Sequence, residues 1–477
     1  MEELFANEEM EKKGLADRLF MKSVNSWDVF PEFEREAVFE LSERYKNFLD
    51  SGKTERECVS EAVRLLEDKG FVCVDQVSVL GKGDKIYKTV KGKGLVAAII
   101  GEEPMEKGLN ILGAHVDSPR IDLKPAPVYE EAEMVFFKTH YYGGIKKYQW
   151  ATIPLALHGV IYNEAGEKME LNIGEGENDP VFTINELLVH LSQEQMNRKA
   201  SEAVRGEELN VLAGSIPYGG EDEKKRFKLG LLNGLYDAYG ITERSFVTAE
   251  IELVPAFKAR DVGFDRGMVG AYGQDDRVCA FSALAALMEV EMGRKTAVCL
   301  FTDKEEVGSN GNTGALSRLY ENALMEMMSK TEGGFNELGF RRCLENSSML
   351  SSDVTSCFDP TYSSAYDKFN TAYAGKGVCL LKYSGARGKS GANDANSEFF
   401  QKVSTVFQEA GVVWQCGELG RVDLGGGGTI AGDMANLGIN VIDCGVPVLS
   451  MHSPFEVTSK GDIYSTYKGF KEFLLNM

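Results

Sequence analysis

The stretch Leu109-Asn110-Ile111-Leu112-Gly113-Ala114-His115-Val116-Asp117 decides the fold of this chain. Its apolar run predicts a buried strand. The histidine and the aspartate that follow stand two residues apart, so their side chains point to one face of an extended chain. Metal-ligand residue types at the carboxyl end of a buried strand are typical of an α/β active site. Taken alone, the motif fits a partly buried histidine beside an unrelated acid equally well.

Four further patches carry the same kinds of side chain, each after a short apolar run or at the start of a loop. Because the carboxyl ends of neighbouring parallel strands meet at one edge of a sheet, we expect these side chains to converge. Two histidines and three acids would form a site suited to Zn²⁺, with Mn²⁺ or Co²⁺ as alternatives. The patches are Gln274-Asp275-Asp276, Lys304-Glu305-Glu306, Ser352-Asp353-Val354 and Met451-His452-Ser453.

The two pairs of adjacent acids suggest a division of labour. Either Asp275 or Asp276 can bridge two cations with its two oxygens, and the spacing does not separate them. In Glu305-Glu306 the side chains point in different directions, so one can coordinate a metal while the other faces the substrate as a general base. The apolar strand that ends at Phe301 makes a solvated helix a poor account of this pair.

Composition limits the class of protein. A chain of 477 residues favours two domains. The net charge of −21 argues against binding nucleic acid or an anionic membrane surface. Nine scattered cysteines without a CxxC pair indicate a reducing compartment. The acidic amino terminus has no leader pattern and no apolar run spans a membrane, so we expect a cytoplasmic protein.

Periodicity predicts an α/β fold with a mixed or parallel central sheet covered by helices on both faces. Residues 34–69 show helical spacing for two amphipathic helices that end at Lys69-Gly70. Residues 95–100 and 109–114 predict neighbouring strands, residues 296–301 and 439–442 predict two more, and residues 278–287 predict a buried helix.

The middle of the chain differs from both flanks in its sequence pattern. Residues 125–258 contain strand-like runs, turns and a polar, helix-like run at 187–203. Because candidate metal ligands lie on both sides, we interpret this block as a β-rich domain inserted between residues 1–124 and 259–477, the two parts of one catalytic domain.

The chain resembles the M18 metallopeptidases along nearly its whole length. The resemblance implies a centre of two divalent metal ions per subunit, Zn²⁺ first among them. It makes His115 and His452 the terminal histidines, Asp275 rather than Asp276 the bridging acid, Glu306 and Asp353 the acidic ligands, Glu305 the general base and Asp117 the residue that orients His115. The strings that carry it are 114–119 (AHVDSP), 303–309 (DKEEVGS), 351–353 (SSD), 429–432 (TIAG) and 451–453 (MHS).

Other features follow from the same resemblance. The inserted domain would serve dimerisation, and its His190 would reach the active site of a neighbouring subunit. Twelve subunits, built from dimers with tetrahedral symmetry, would enclose a chamber. Ser356 stands where acid-specific members carry a histidine, and Lys382 is the nearest match to a lysine that binds the acidic side chain of the substrate. We therefore expect neutral or apolar residues to compete well as substrates.

The predicted function is removal of one residue from peptides with a free amino terminus. A two-metal dipeptidase or N-acyl amino acid deacylase is an alternative, because the same ligands serve any amide hydrolysis. A cargo-like particle with a structural metal centre is a second alternative, against which the unligated acid Glu305 argues.

Overall fold

A computed structural model describes residue 15 and residues 18–477. The acidic amino terminus on which the leader prediction rests lies outside these residues. Among the described residues, no helix combines the length and apolar character needed to cross a membrane.

The largest layer is a nine-stranded mixed sheet with the order β1-β2-β3-β14-β4-β15-β19-β17-β18. Strands β14, β4, β15 and β19 run parallel to one another at its centre. The strands are β1 (Val72–Cys73), β2 (Lys85–Val90), β3 (Gly94–Ile99), β4 (Leu109–His115), β14 (Thr296–Thr302), β15 (Ser348–Ser351), β17 (Val378–Leu381), β18 (Trp414–Cys416) and β19 (Asn440–Gly445).

The predicted mixed sheet is confirmed, but one neighbour relation is wrong. Strands β3 and β4 do not pair, because β14 lies between them, antiparallel to β3 and parallel to β4. The connection between β3 and β4 leaves room for a strand that the chain adds almost two hundred residues later. Sequence order alone carries no sign of this.

Helices cover both faces of the nine-stranded sheet. Along β3, Leu95, Ala97 and Ile99 pack into one apolar cluster, while Val96 and Ala98 pack into another. The first cluster includes residues from helices Glu32–Ser51, Glu55–Asp68, Gln274–Glu289, Ser397–Glu409 and Lys460–Asn476; the second includes residues from Arg318–Ser329, Glu337–Glu345 and Ala431–Ala435. Burial on both faces explains the almost continuous apolar runs of the central strands.

The predicted helices are confirmed where at least one face of the helix is buried. The predicted pair at 34–69 corresponds to Glu32–Ser51 and Glu55–Asp68. Thr54 and Glu57 form a capping box that starts the second of these helices, and Gly70 follows its end with a φ of 81°. The predicted buried helix at 278–287 lies within Gln274–Glu289, whose residues are buried from Gln274 to Met288.

A second, seven-stranded sheet has the order β8-β7-β11-β5-β6-β10-β9 and its own apolar core. All its strands come from residues 120–255, so they interrupt the chain between β4 and β14. They are β5 (Arg120–Glu131), β6 (Met134–Tyr142), β7 (Leu155–Tyr162), β8 (Lys168–Ile173), β9 (Thr183–Ile184), β10 (Val211–Gly214) and β11 (Glu250–Pro255). The domain limits at 124/125 and 258/259 stay a prediction.

A third sheet has five short strands in the order β12-β13-β21-β20-β16. Its strands are β12 (Arg260–Val262), β13 (Met268–Ala271), β16 (Thr355–Ser356), β20 (Pro447–Leu449) and β21 (Glu456–Ser459). The loops of this sheet flank the edge of the large sheet at which the candidate ligands lie.

The helix-like run at 187–203 is not one helix. It forms 3₁₀ turns at Val189–Leu191 and Ala200–Glu202 and a four-residue helix at Gln193–Met196. Its apolar residues Leu188 and Leu191 are 57% and 70% exposed. A helix of this length gains most of its stability from burying one face, and within a single chain this segment buries none. From residue 20 onward, the other α-helices are Ser26–Val29 and Arg226–Tyr239.

Candidate metal centre and active site

The parallel strands bring three of the sequence-predicted patches to one edge of the large sheet. His115 ends β4 and pairs in register with Thr302, the last residue of β14. Glu305 and Glu306 follow in a 3₁₀ turn, and Asp353 lies two residues beyond the end of β15. The carboxyl ends of these strands therefore place one histidine and three acids together, as expected for an α/β site.

Asp275 lies between the two histidines. Its Oδ1 atom is 3.2 Å from Nε2 of His115, and its Oδ2 atom is 3.2 Å from Nε2 of His452. The side chain comes from the start of helix Gln274–Glu289, and His452 comes from the loop between β20 and β21. One carboxylate with an oxygen toward each histidine has the arrangement needed to bridge two cations.

The neighbouring Asp276 occupies a different position. Its Oδ2 atom accepts a 3.4 Å hydrogen bond from the backbone N–H of His115, and its side chain is fully buried. Burial, reinforced by Asp353, raises the pKa of Asp276 well above its ordinary value. Asp276 thus supports the strand end that carries His115, while Asp275 faces both imidazoles.

Among the described residues, three groups of side chains offer possible ligand atoms. On the His452 side, Asp275, Glu306 and His452 offer ligand atoms within 4.8 Å of one another. On the His115 side, Nε2 lies 3.8 Å from Oδ1 of Asp353 and 3.8 Å from Oε2 of Glu305. His115 also forms such groups with Glu305 and Glu306, and with Asp276 and Asp353.

Both imidazole rings are fixed by contacts at Nδ1. The Nδ1–H of His115 donates to the backbone carbonyl of Asp117 at 3.0 Å, with the carboxylate of Asp117 at 3.3 Å. The Nδ1–H of His452 donates to the carbonyl of Gly144 at 2.8 Å. A proton held at Nδ1 leaves the Nε2 lone pair free for a metal, the usual arrangement of metal-binding histidines.

The donor set fits a pair of divalent cations. Nε2 of His115 and Oε1 of Glu306 are buried and have no hydrogen-bond partner. Buried polar atoms are rarely left unsatisfied unless an ion or ligand meets them. Imidazole nitrogens combined with carboxylate oxygens suit Zn²⁺, Mn²⁺ or Co²⁺.

Glu305 lies beside this cluster and borders the adjoining cavity. Its backbone N–H donates to Oδ1 of Asp117 at 3.2 Å, which holds the turn against the strand end. Burial raises the pKa of Glu305 to about 8; His115 opposes the shift, and Asp353 reinforces it. Its carboxylate lines the adjoining cavity. A carboxylate that borders a cavity and lies beside candidate metal ligands is placed to accept and return a proton.

A cavity of about 320 Å³ opens from the cluster. Among the residues that the structure describes, no lysine or arginine lines this cavity. The buried Asp443 receives hydrogen bonds from Thr429 at 2.7 Å and Ser384 at 3.3 Å. Beyond the candidate ligands, the lining consists of Val354, Leu381, Leu419 and Met451, of Thr355, Ser384, Thr429 and Asp443, and of Gly426, Gly427 and Gly428.

The structure does not bring all predicted site residues together. Lys382 is exposed, while its neighbour Leu381 lines the cavity. Strand β17 ends at Leu381, and successive side chains of an extended chain point to opposite sides. Ser356 contacts the hydroxyl of Tyr366 at 3.1 Å and does not line the cavity. His190 is exposed in its 3₁₀ turn, away from the cavity lining.

Three further residues hold the site and carry little signal in the sequence. Both carboxylate oxygens of the buried Glu456 accept backbone N–H groups, from His452 at 2.7 Å and from Asp275 at 3.1 Å. The Tyr142 hydroxyl donates to Asp117 at 2.8 Å, and the Gly144 carbonyl holds His452. Only Glu456, four residues after the histidine of MHS, offers a hint in the sequence.

Comparison with known proteins adds an independent line of support. The family model described as "Aminopeptidase I zinc metalloprotease (M18)" matches residues 48–474. A probable M18 family aminopeptidase 1 from Clostridium acetobutylicum is 49% identical over 456 residues, which cover 95% of this chain and 98% of that protein. A probable M18 family aminopeptidase 1 from Thermotoga maritima is 44% identical over 447 residues, 94% of this chain and 98% of that protein.

Solved structures agree with the observed fold. The crystal structure of an M18 family aminopeptidase from Thermotoga maritima superposes with a TM-score of 0.92 at 44% identity, covering 96% of this chain and 100% of that chain. A more distant structure, the mApe1 dodecamer of S. cerevisiae, has a TM-score of 0.72 at 23% identity, covering 90% and 95%. The distant match shows a shared fold alone.

Proposed function

The chain belongs to the M18 family of aminopeptidases, zinc metalloproteases that hydrolyse peptides, and from this premise we propose how its residues divide the reaction. In this proposal His115 and Asp353 would hold one metal ion, Glu306 and His452 would hold a second, and Asp275 would contribute one oxygen to each. The position of Asp275 between the two Nε2 atoms, 3.2 Å from each, is the observation that carries this assignment.

Glu305 is the general base in this proposal. The chemistry that the ions supply when bound is Lewis acidity, which polarises the scissile carbonyl and lowers the pKa of the attacking water. The Glu305 carboxylate takes a proton from that water and delivers it to the leaving amine. The backbone N–H of Glu305 donates to Asp117, and this hydrogen bond holds the residue beside His115.

The cavity next to the cluster receives the side chain of the residue that is removed. Apolar walls at Val354, Leu381, Leu419 and Met451 favour apolar side chains. An acidic side chain would find no lysine or arginine among the described residues of this lining and would lie near Asp443. We therefore assign a neutral or apolar preference, and Lys382 has no part in it.

The α-amino group of the substrate is recognised at the same edge. A free ammonium group is a donor with a positive charge, and carboxylate oxygens of the cluster face the cavity. An acylated amine lacks that charge. This distinguishes an aminopeptidase from the deacylase alternative.

Assembly belongs to the proposal as well. We assign a homo-oligomer in which the block at 125–258 forms dimers and His190 reaches a neighbouring active site. The exposed apolar residues beside His190 support this, since Leu188, Val189 and Leu191 are each more than half exposed in the single chain. The distant mApe1 dodecamer makes a tetrahedral dodecamer the natural size to test. Nine free cysteines support a cytoplasmic location.

One comparison tests the function. Leucyl-anilide and N-acetyl-leucyl-anilide are offered to the zinc-loaded protein under the same conditions. The proposal requires that the anilide bond of the compound with a free amino group be hydrolysed. Acetylation of that amino group should lower kcat/KM by at least ~10², which equals about 2.7 kcal/mol of transition-state binding. Release of acetate from the acetylated compound, with its anilide bond left intact, would establish the deacylase instead.

A further inference from the structure

Residues 142–144, at the end of β6, reach from the seven-stranded sheet to the metal cluster of the same chain. Tyr142 is the last residue of β6, and its hydroxyl donates to Oδ2 of Asp117 at 2.8 Å. Two residues later, the carbonyl of Gly144 accepts the Nδ1–H of His452 at 2.8 Å. One short segment therefore contacts the supports of both histidines.

The contact with Asp117 affects more than one ligand. Asp117 is fully buried. Its Oδ1 accepts the backbone N–H of Glu305 at 3.2 Å, and its Oδ2 accepts that of Glu306 at 3.3 Å. The Tyr142 hydroxyl shares Oδ2 with Glu306 and thus fixes the plane of a carboxylate that holds His115 and the Glu305-Glu306 turn together.

Tyr142 is itself immobilised from behind. The guanidinium of Arg120 lies over its ring, 3.9 Å from the centroid. Arg120 is held in turn by Asp122 at 2.8 Å, Glu252 at 3.1 Å and Glu55 at 3.4 Å. A ring clamped by a buried, paired cation has little freedom to rotate away from Asp117.

The two glycines allow the segment to approach closely. Gly143 has a φ of 74°, and a Cβ atom there would lie 3.3 Å from Pro119 and 3.4 Å from Cβ of Glu306. A Cβ on Gly144 would lie 3.3 Å from Nδ1 of His452. Backbone contact at this distance is available to glycine and strained for other residues.

We propose that Tyr142 is a positioning residue of the metal centre and that residues 142–144 orient both histidines, His452 directly and His115 through Asp117. The seven-stranded sheet thereby sets the affinity of the catalytic part of its own chain for metal. This inference rests on the ligand assignment made above and adds residues outside it.

Tyr142→Phe tests the proposal, because it removes one hydroxyl and keeps the ring under Arg120. Tyr141→Phe is the matched control, since Tyr141 precedes it and is 39% exposed. The full-length protein is stripped of metal, and zinc binding is measured by competition with a coloured chelator. We expect Tyr142→Phe to weaken zinc binding or to lower kcat by about 10- to 100-fold, while KM stays within a factor of about two. Loss of a residue that hydrogen-bonds to a metal ligand usually has an effect of this size. Tyr141→Phe should match the unaltered protein.

A double-mutant cycle separates positioning from general stability. If Tyr142 acts through Asp117, Tyr142→Phe should change zinc affinity by less than about twofold in an Asp117→Asn background. Independent, multiplying effects would overturn the proposal, as would a Tyr142→Phe protein with zinc affinity and kcat unchanged. A fall confined to the melting temperature of the metal-free protein would also overturn it.

Gly144→Ala provides a second variant that acts on the other histidine. The added methyl group crowds His452, so zinc affinity should fall even though the carbonyl group that accepts from His452 is still present. Unchanged zinc binding in Gly144→Ala would remove the His452 half of the proposal. Failure of the ligand assignment itself has a different signature: the unaltered protein would not take up two zinc ions per subunit.

Discussion

Nδ1 of His452 donates a hydrogen bond to the carbonyl oxygen of Gly144, 308 residues earlier in the chain, at 2.8 Å. This bond turns Nε2 of His452 toward Asp275 and Glu306, at 3.2 and 3.4 Å. His452 has a φ of 63°, unusual for a non-glycine residue, and its own N–H is held by Glu456. The orientation of this imidazole therefore depends on one distant residue, Gly144, and on one nearby residue, Glu456.

The bridging role proposed for Asp275 predicts that one substitution affects the binding of both proposed metal ions. Asp275→Asn should weaken the binding of both zinc ions, because an amide offers one acceptor oxygen, whereas the carboxylate directs one oxygen toward each histidine. Asp276→Asn is the control, since it keeps an acceptor for the His115 N–H. Zinc content after dialysis decides: we expect fewer than one ion per subunit in Asp275→Asn and about two in Asp276→Asn. The reverse pattern would make Asp276 the bridge.

The lining of the cavity predicts specificity. Leu and Met aminoacyl reporters should be cleaved at least as well as Asp and Glu reporters, because no lysine or arginine lines the cavity. Leu419→Arg should raise the ratio of kcat/KM for Asp over Leu, and Lys382→Ala should leave that ratio unchanged. A preference of the unaltered protein for Asp over Leu by more than ~10² would refute this account of the pocket.

His190 predicts catalysis across a subunit boundary. His190→Ala should lower kcat without changing zinc content or oligomer size, because an imidazole from a neighbour would stabilise the developing oxyanion. Mixing Glu305→Gln subunits with His190→Ala subunits, under conditions that allow exchange, should restore part of the activity. If subunit exchange is confirmed but no activity returns, or if an isolated monomer is fully active, His190 does not act in a neighbouring subunit.

Asp443 predicts a pH dependence of stability with a defined sign. Burial raises its pKa to about 7, against about 4 in an unfolded chain. Between these values the folded protein keeps a proton that the unfolded chain has lost, so this contribution to stability falls as pH rises from about 4 to about 7. Asp443→Asn cannot ionise and should show a smaller fall in the free energy of unfolding of metal-free protein over that interval. An equal or steeper fall in the variant would exclude Asp443 as the source.

The parts of the fold and site that could be predicted share a physical cause. Buried strands and helices leave apolar runs, so β4, β14 and the helix Gln274–Glu289 were visible in the sequence. His115, Glu305 and Asp353 follow such strands and inherit a shared edge from them. The choice of Asp275 over Asp276 follows from the resemblance to the M18 family and stays a prediction: Asp275 faces both imidazoles, while Asp276 also forms a group of possible ligands with His115 and Asp353.

The parts that escaped prediction depend on contacts that sequence patterns do not record. A backbone acceptor such as the Gly144 carbonyl leaves no trace in side-chain identity, and the Tyr142 hydroxyl meets Asp117 only after the second sheet has folded. The insertion of β14 between β3 and β4 is likewise a long-range event. The run at 187–203 was predicted helical from spacing, but its apolar residues lie exposed in the single chain.

The division of roles between Glu305 and Glu306 is the centre of this account, and a paired measurement of zinc content and kcat tests it most directly. Glu305→Gln removes the proposed base and keeps the ligand set, whereas Glu306→Gln removes a ligand. We predict that Glu305→Gln retains about two zinc ions per subunit while kcat falls by at least ~10², and that Glu306→Gln loses zinc. Equal loss of zinc in both variants, or a Glu305→Gln protein with undiminished kcat, would contradict the account.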